Sequence, residues 1–333
     1  MSKTFIIAEL SANHNNNFDI AAETIRAIAK AGADAVKVQT YKPESLTLDM
    51  DSGYFAPRTE GLWKDYTPWK LYSQASMPYQ WQPKLKEIAE EVGLIFFSSP
   101  FDNEGVDFLE SIGNPIYKIA SLEINDTPLI EYAASKGKPM IISTGVAEAD
   151  EIADALAACR KVGNNNVTLL KCTSQYPATI ADANLATIPE MQNRFNVDIG
   201  VSDHTQGSIV PVVAVSLGAK IVEKHFTLDR AMGGPDAPFS MEPHEFAQMV
   251  KDVRDTESAL GVVTYNVNEK DKLRRRSLFV IKNILKGEKI TKENIRSIRP
   301  GHGIHPGFLS QVVGKIAKID IARGTPLDFD HFE

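Results

Sequence analysis

At 333 residues and 43% hydrophobic content, the chain has enough apolar material for a sizeable core and more length than one ordinary domain needs. Its net charge of -7, with no basic stripe beyond "KLRRR" at 272–276, argues against a nucleic-acid surface, and no apolar run approaches the ~20 residues that span a bilayer. The opening "MSKTFIIAEL" carries too short an apolar run for a secretion signal, which predicts a cytoplasmic protein; Cys159 and Cys172 read as buried small hydrophobes, not as a disulfide framework.

In chain order, strand-like runs alternate with helix-like ones. The strands are "FIIAEL", "AVKVQTY", "LIFFSSP", "IYKIAS", "PMIISTG", "VTLLKCT", "DIGVSDH" and "KIVEKHF". Segments between them, such as "DIAAETIRAIAKAG", "QPKLKEIAEEVG" and "EADEIADALAACRKVG", place apolar residues three and four apart and close on or near Gly, as amphipathic helices do. Eight such units in about 250 residues predict an α/β fold of the (β/α)8 TIM-barrel type. A doubly wound sheet is the alternative, but no GxGxxG follows the first strand. Residues 42–80, rich in Tyr, Trp, Pro and Gly, exceed an ordinary βα loop and suggest a lid or binding element. The alternation stops after "ESALG", which places the catalytic domain at 1–262, a linker at 263–276 and a small β-rich domain at 277–333. Within the last, "LKGEKITKENI" and "ARGTPLDFDHF" read as two copies of a turn followed by a short helix.

In a barrel the catalytic groups stand at the C-terminal strand ends. Polar residues occupy that place on all eight strands: Glu9, Lys37 with Gln39, Ser98 with Ser99, Lys118 with Ser121 and Glu123, Ser143 with Thr144, Thr173 with Ser174, Ser202 with His204, and Glu223 with His225. Alternation along "KIVEKHF" puts Ile221, Glu223 and His225 on one face, where burial is costly unless the ionisable groups are paired or bind a ligand. Lys37 and Lys118, with hydroxyls around them, present cationic and neutral donors suited to a phosphate or carboxylate, so the substrate should be anionic. His204 and His225 end neighbouring strands and can reach one divalent cation; their spacing alone leaves open two hydrogen-bonded imidazoles instead. Glu9 and Glu223 are candidate bases or partners of a metal-bound water, and Asp236 lies in "GGPD", just beyond the last barrel strand. Lys171, in mid-strand, reads as outward-facing or ion-paired.

The ordered motifs "IAELSANHN", "GADAVKVQTY", "FFSSPFD", "YKIASLE", "IISTG", "LLKCTSQYP", "GVSDHT", "EKHFTLDR" and "GGPD" resemble those of the sialic acid synthase family, and the region from Ser277, with "RPGHG", resembles its antifreeze-like (SAF, β-clip) domain. The resemblance covers essentially the whole chain. It implies condensation of phosphoenolpyruvate with an N-acetylated amino sugar, assisted by Mn²⁺, Co²⁺ or Mg²⁺ held at His204 and His225. It further implies Glu9 as catalytic carboxylate and Lys37, Lys118, Ser121, Ser143 and Ser202 around phosphoenolpyruvate. The readings "LSANHNNN" and "CTSQYP" resemble the pseudaminic acid synthase branch, whose acceptor is 2,4-diacetamido-2,4,6-trideoxy-altrose. Gln39, Glu123, Ser174 and Asp236 are then candidate substrate-binding residues, Gln175 and Tyr176 candidate sugar contacts, and Arg299 of "RPG" a sugar contact delivered across a domain-swapped homodimer. N-acetylneuraminate and legionaminate synthases, a barrel making a seven- or eight-carbon sugar acid, and a non-catalytic carbohydrate or ice binder are the alternatives.

Overall fold

The computed structural model describes residues 3–333, which divide into two compact units, 3–261 and 262–333. In the first, eight parallel strands close into a barrel in sequence order: β1 (Phe5–Glu9), β2 (Ala35–Thr40), β3 (Ile95–Pro100), β4 (Tyr117–Ile119), β5 (Met140–Ser143), β6 (Val167–Cys172), β7 (Asp198–Asp203) and β8 (Ile221–His225). Pairing of β8 with β1 shuts the barrel and rules out the doubly wound sheet. The connecting helices are α1 (Phe18–Lys30), α2 (Pro68–Ala75), α3 (Gln82–Glu91), α4 (Asn103–Ser111), α5 (Thr127–Ala134), α6 (Ala149–Lys161), α7 (Thr187–Phe195), α8 (Ile209–Ser216) and α9 (Pro243–Leu260). Seven of these connect successive barrel strands and α9 follows the last one; α2 belongs to the long excursion between β2 and β3.

The period of two along each strand sorts residues between two cores. Ile6, Ala8, Val36, Val38, Phe96, Leu169 and Val222 join the helices in the large outer core. Their alternates Ile7, Ala35, Phe97, Ile141, Leu170 and Ile221 form a separate apolar plug that fills the barrel. Gly200 lets β7 close on that plug, because a Cβ there would lie 2.6 Å from Leu170 Cδ2 and 2.7 Å from the Ile221 carbonyl oxygen. Two residues further along these strands, on the same inner face, the apolar set gives way to Glu9, Lys37, Ser99, Ser143, Cys172, Ser202 and Glu223. A filled floor beneath a polar mouth follows.

Local signals set the elements. Asn17 caps α1 by accepting from the Asp19 and Ile20 amides at 2.8 and 3.3 Å, and Ala21, Ala22, Ile25 and Ile28 give that helix its buried stripe. The excursion after β2 is anchored by Trp63, whose indole Nε1 donates to the Pro235 carbonyl at 3.0 Å.

In the second unit β9 (Ser277–Val280) pairs antiparallel with β10 (Ile295–Ile298) over a core that includes Leu278, Val280, Ile284, Ile290, Leu327 and Phe332. The internal repeat is real in three dimensions. Ile284 and Ile321 exchange both backbone hydrogen bonds, at 2.9 and 2.7 Å, and Ile290 with Ile295 recur as Leu327 with Phe332. The Thr291 amide donates to Asn294 Oδ1 and, in the second copy, the Asp328 amide donates to His331 Nδ1. The expected short helix after each glycine is replaced by a turn at 292–294 in the first copy and a single 3-10 turn, Phe329–His331, in the second. No helix among the described residues is long and apolar enough to cross a membrane.

Candidate active site

Four charged side chains meet above the plug. Glu9 and Lys37 face each other across β1 and β2 and are ion-paired; Lys37 Nζ is also 3.9 Å from Glu223 Oε2. Lys118 Nζ donates to Glu223 Oε1 at 3.3 Å, Ser202 Oγ donates to that oxygen at 3.1 Å, and Gln39 Nε2 donates to Glu9 Oε1 at 3.1 Å. None of the four charged groups is more than 6% exposed. The lysines are therefore not free cations at the mouth: each is matched by a carboxylate, and an anionic substrate would re-partition existing pairs.

Charge is distributed unequally. Burial lifts the Glu9 carboxyl above its ordinary value, opposed by Lys37. Glu223 is desolvated too, but Lys118 and Lys37 outweigh that and hold it below the usual carboxylate range. Burial pushes Lys118 down, whereas Glu223 and Glu9 overcome burial at Lys37 and push it up. Two carboxylates whose environments drive their pKa values apart suit one as proton acceptor and the other as fixed countercharge.

Hydroxyls surround this quartet. Ser174 Oγ donates to Ser121 Oγ at 2.9 Å, while Ser99 Oγ and Ser143 Oγ are buried without a hydrogen-bond partner among the described residues. Gly145 brings its backbone into the same corner, for a Cβ there would stand 2.2 Å from Ser174 Oγ and 2.8 Å from Ser121 Oγ. Unsatisfied buried hydroxyls beside a lysine make a receptor for an oxyanion. Ser98, by contrast, is turned to the other strand face and donates to the Val38 carbonyl at 3.0 Å, a structural place. Cys172 is more than a small hydrophobe: its Sγ lies 3.6 Å from Ser174 Oγ, inside the site.

His204 and His225 come together as their neighbouring strands predict, with ring centroids 5.2 Å apart. The His204 Nδ1 proton is donated to the Thr173 carbonyl at 3.0 Å, which turns Nε2 into the site; burial lowers this imidazole's pKa, but Cys172 beside it outweighs burial and holds it above its ordinary value. His225 Nδ1 is buried, has no hydrogen-bond partner among the described residues, and lies 3.9 Å from Asp236 Oδ2. Burial, with His204 and the lysines nearby, pushes His225 well below its ordinary pKa, so it offers a neutral lone pair. No group of three or more His, Cys, Asp or Glu side chains is arranged as a metal cage among the described residues. The donor set fits a divalent ion held by two imidazoles, with Asp236 close by and the remaining positions open to water or substrate.

An aromatic wall flanks the histidines. The Tyr176 ring is 4.5 Å from His204, 5.0 Å from Phe239 and 5.7 Å from Trp63. Glu123 is half-buried near Lys118, and burial lifts its carboxyl to about 7. Asp236 accepts from the Ala12 amide at 3.4 Å, and Asn13 Nδ2 donates to the Phe226 carbonyl and to Ser240 Oγ, both at 2.8 Å, which binds the loop after β1 to the loop after β8. Gln175 is exposed and Lys171 donates to the Cys172 carbonyl, and neither joins the quartet; Arg299 is exposed after β10 in the second unit. Sequence reasoning passed over Trp63, Phe239, Asn13 and Cys172. Asn13 lies within "NHN" and Trp63 within the aromatic excursion, but neither position has a periodicity that singles it out.

The NeuB family matches residues 24–265 and the SAF domain residues 275–333. The chain is 44% identical over 332 residues to a pseudaminic acid synthase of Helicobacter pylori, a match covering 98% of this chain and 97% of that one. It is 35% identical over 338 residues to an N,N'-diacetyllegionaminic acid synthase of Legionella pneumophila, covering 99% and 94%. Among solved structures, the N-acetylneuraminic acid synthetase of Leptospira borgpetersenii in complex with citrate superposes with a TM-score of 0.73 at 33% identity, covering 81% of this chain and 90% of that one. With its barrel and its C-terminal unit both matched, the chain belongs to the NeuB family of sialic acid synthase-type enzymes.

Proposed function

We propose that the chain is a cytoplasmic pseudaminic acid synthase, condensing phosphoenolpyruvate with 2,4-diacetamido-2,4,6-trideoxy-β-L-altropyranose and water to give pseudaminic acid and phosphate. The likeness to the Helicobacter pylori enzyme along nearly the whole chain carries the choice of sugar. The aromatic wall of Tyr176, Phe239 and Trp63 supports it, since a methyl at C6 favours an apolar surface where a hydroxyl would need a partner.

Lys37 and Lys118, with the hydroxyls of Ser121, Ser143 and Ser202, hold the carboxylate and phosphate of phosphoenolpyruvate above the plug. His204 and His225 would hold Mn²⁺, or Co²⁺ or Mg²⁺ in its place, and the ion would supply Lewis-acid polarisation of the acceptor's aldehyde. Carbon C3 of phosphoenolpyruvate bonds to the aldehyde carbon, whose oxygen takes up a proton, and positive charge develops at C2. Water bonds to C2 while Glu9, the carboxylate with the raised affinity for a proton, accepts the proton that water loses. The C2–O bond to phosphorus then breaks on its carbon side, the electron pair of the new C2 hydroxyl closes to the keto group, and that hydroxyl's proton leaves with the departing phosphate. Gln39 keeps Glu9 oriented, and Glu223 stays ionised between the lysines as they exchange partners. Ser174, Tyr176, Glu123 and Asp236 line the acceptor side, and Arg299 reaches the acceptor's N-acetyl group from a second copy in a domain-swapped homodimer.

Phosphate release measured side by side with three acceptors, at saturating phosphoenolpyruvate and Mn²⁺, tests the reading. The 2,4-diacetamido-2,4,6-trideoxy-altrose acceptor should give the highest kcat/KM, above the legionaminate precursor and N-acetylmannosamine. If N-acetylmannosamine leads, the chain makes N-acetylneuraminic acid instead.

A further inference from the structure

The outer faces of β7 and β8 hold a second buried ion pair. Asp203 and Lys224 are register partners, with side chains 2% and 0% exposed, and Nζ donates to Asp203 Oδ2 at 2.6 Å. The same ammonium donates to the Thr205 carbonyl at 2.7 Å and the Gly207 carbonyl at 3.1 Å. Asp203 Oδ1 accepts from the Thr205 amide at 2.9 Å, and Oδ2 accepts from Thr205 Oγ1 at 3.1 Å. An apolar pair could seal two strands at least as well. It could not grip the two carbonyls of the loop that leaves β7.

We propose that Asp203 and Lys224 are positioning residues for the two histidines. His204 lies between Asp203 and Thr205, both fixed by this network, so its backbone is held on each side while the Thr173 carbonyl sets its ring. His225 follows Lys224 directly, and its own carbonyl accepts from the Met241 amide at 2.9 Å. The brace and the imidazoles thus occupy opposite faces of one strand pair. Anchoring the outer face determines how closely the inner two nitrogens can meet around one ion. The inference rests on His204 and His225 being the metal ligands.

The test is Mn²⁺ binding by electron paramagnetic resonance or calorimetry on the full-length protein, with folding followed by circular dichroism. Lys224→Met should bind Mn²⁺ about 10- to 100-fold more weakly, as loss of groups that orient metal ligands does, and phosphoenolpyruvate affinity without metal should hold. Lys224→Arg, which keeps a charged donor, should recover part of the loss. Folded Lys224→Met with Mn²⁺ affinity within about twofold of the parent would overturn the proposal, since outer partners that matter cost far more. Should Lys224→Met not fold, Thr205→Val decides: it removes only the hydroxyl bond to Asp203, and an unchanged Mn²⁺ affinity there also overturns it. His225→Ala separates the two readings. If it binds Mn²⁺ normally, the metal assignment has failed; if it loses binding while Lys224→Met does not, only the brace has failed.

Discussion

Strands β7 and β8 carry buried charge on both faces, and the two sets differ in how completely they are satisfied. Outside the barrel, Lys224 uses three donors on Asp203 and two carbonyls, and both Asp203 oxygens accept. Inside, Ser99 Oγ, Ser143 Oγ and His225 Nδ1 have no partner among the described residues, and Lys37 sits 3.9 Å from the second of its carboxylates. A saturated network holds shape, whereas an under-satisfied one is complete only when something else enters. Polar residues of one type thus serve structure or chemistry according to which strand face they occupy.

The largest effect that distinguishes the faces should come from Glu9→Gln. The amide keeps the size and the contact to Gln39 but cannot take a proton from water, so kcat should fall by about 10²–10⁴-fold, the usual share of general base catalysis. Phosphoenolpyruvate binding should survive. Steady-state phosphate release together with calorimetry checks both halves, and an unimpaired kcat would remove Glu9 from the chemistry.

Next come the two lysines, compared directly. Lys224→Met strands a buried carboxylate and should destabilise the fold by about 3–5 kcal/mol in denaturant titration. Lys118→Met leaves Glu223 with Lys37 still nearby, so its main cost should fall on the ligand. Phosphoenolpyruvate affinity should weaken by about 1.5–3 kcal/mol, the worth of a hydrogen bond to a charged group. Equal stability losses in the two variants would erase the distinction between the faces.

Much of this was legible before the structure because strand alternation is a strict code. Once Ile7 and Ile221 face inward, Glu9, Glu223 and His225 must as well, and eight such strands leave one mouth for them to share. The pairing of Lys37 with Glu9 was not legible, since it depends on the stagger between β1 and β2 and not on either strand. For the same reason Lys224 in "KIVEKHF" gave no sign of its partner, which lies on another strand with a loop folded over it. Ser98 and Ser99 show the limit of a residue-type argument, because adjacent serines face opposite ways and only one is in the site. Trp63 was hidden by loop geometry, which no period describes.

Glu123 stands between the two categories, half-buried at the edge of the inner set with its carboxyl lifted to about 7 by burial, against an ordinary 4.5. The folded protein therefore holds this proton more tightly than the unfolded chain does. The resulting stability is fully present below pH 4.5 and is lost as the pH rises through about 7. Partial solvent contact limits it to on the order of 2 kcal/mol. Glu123→Gln should flatten the pH dependence of thermal stability between pH 4.5 and about 7, the interval in which the unfolded chain has lost this proton and the folded protein still holds it. Melting curves with the same slope for parent and variant would assign the titration elsewhere.

The smallest expected effect tests whether the excursion after β2 acts on the inner site at all. Trp63 meets Arg58, whose guanidinium lies 5.1 Å over its ring, and approaches the site through its neighbours; its ring lies 5.7 Å from Tyr176, which packs at 4.5 Å on His204, and its indole proton is given to the Pro235 carbonyl, next to Asp236. Trp63→Phe keeps an aromatic face and deletes that single hydrogen bond, worth about 0.5–1.5 kcal/mol. If the excursion closes the acceptor side, the loss should appear in the acceptor's KM, raised by about 2- to 10-fold as that energy dictates, with the KM for phosphoenolpyruvate unchanged. Lys118→Met should show the opposite split. A Trp63→Phe enzyme with both KM values unaltered would make the indole bond a stabilising contact only, and would place Trp63 with the outer, saturated set.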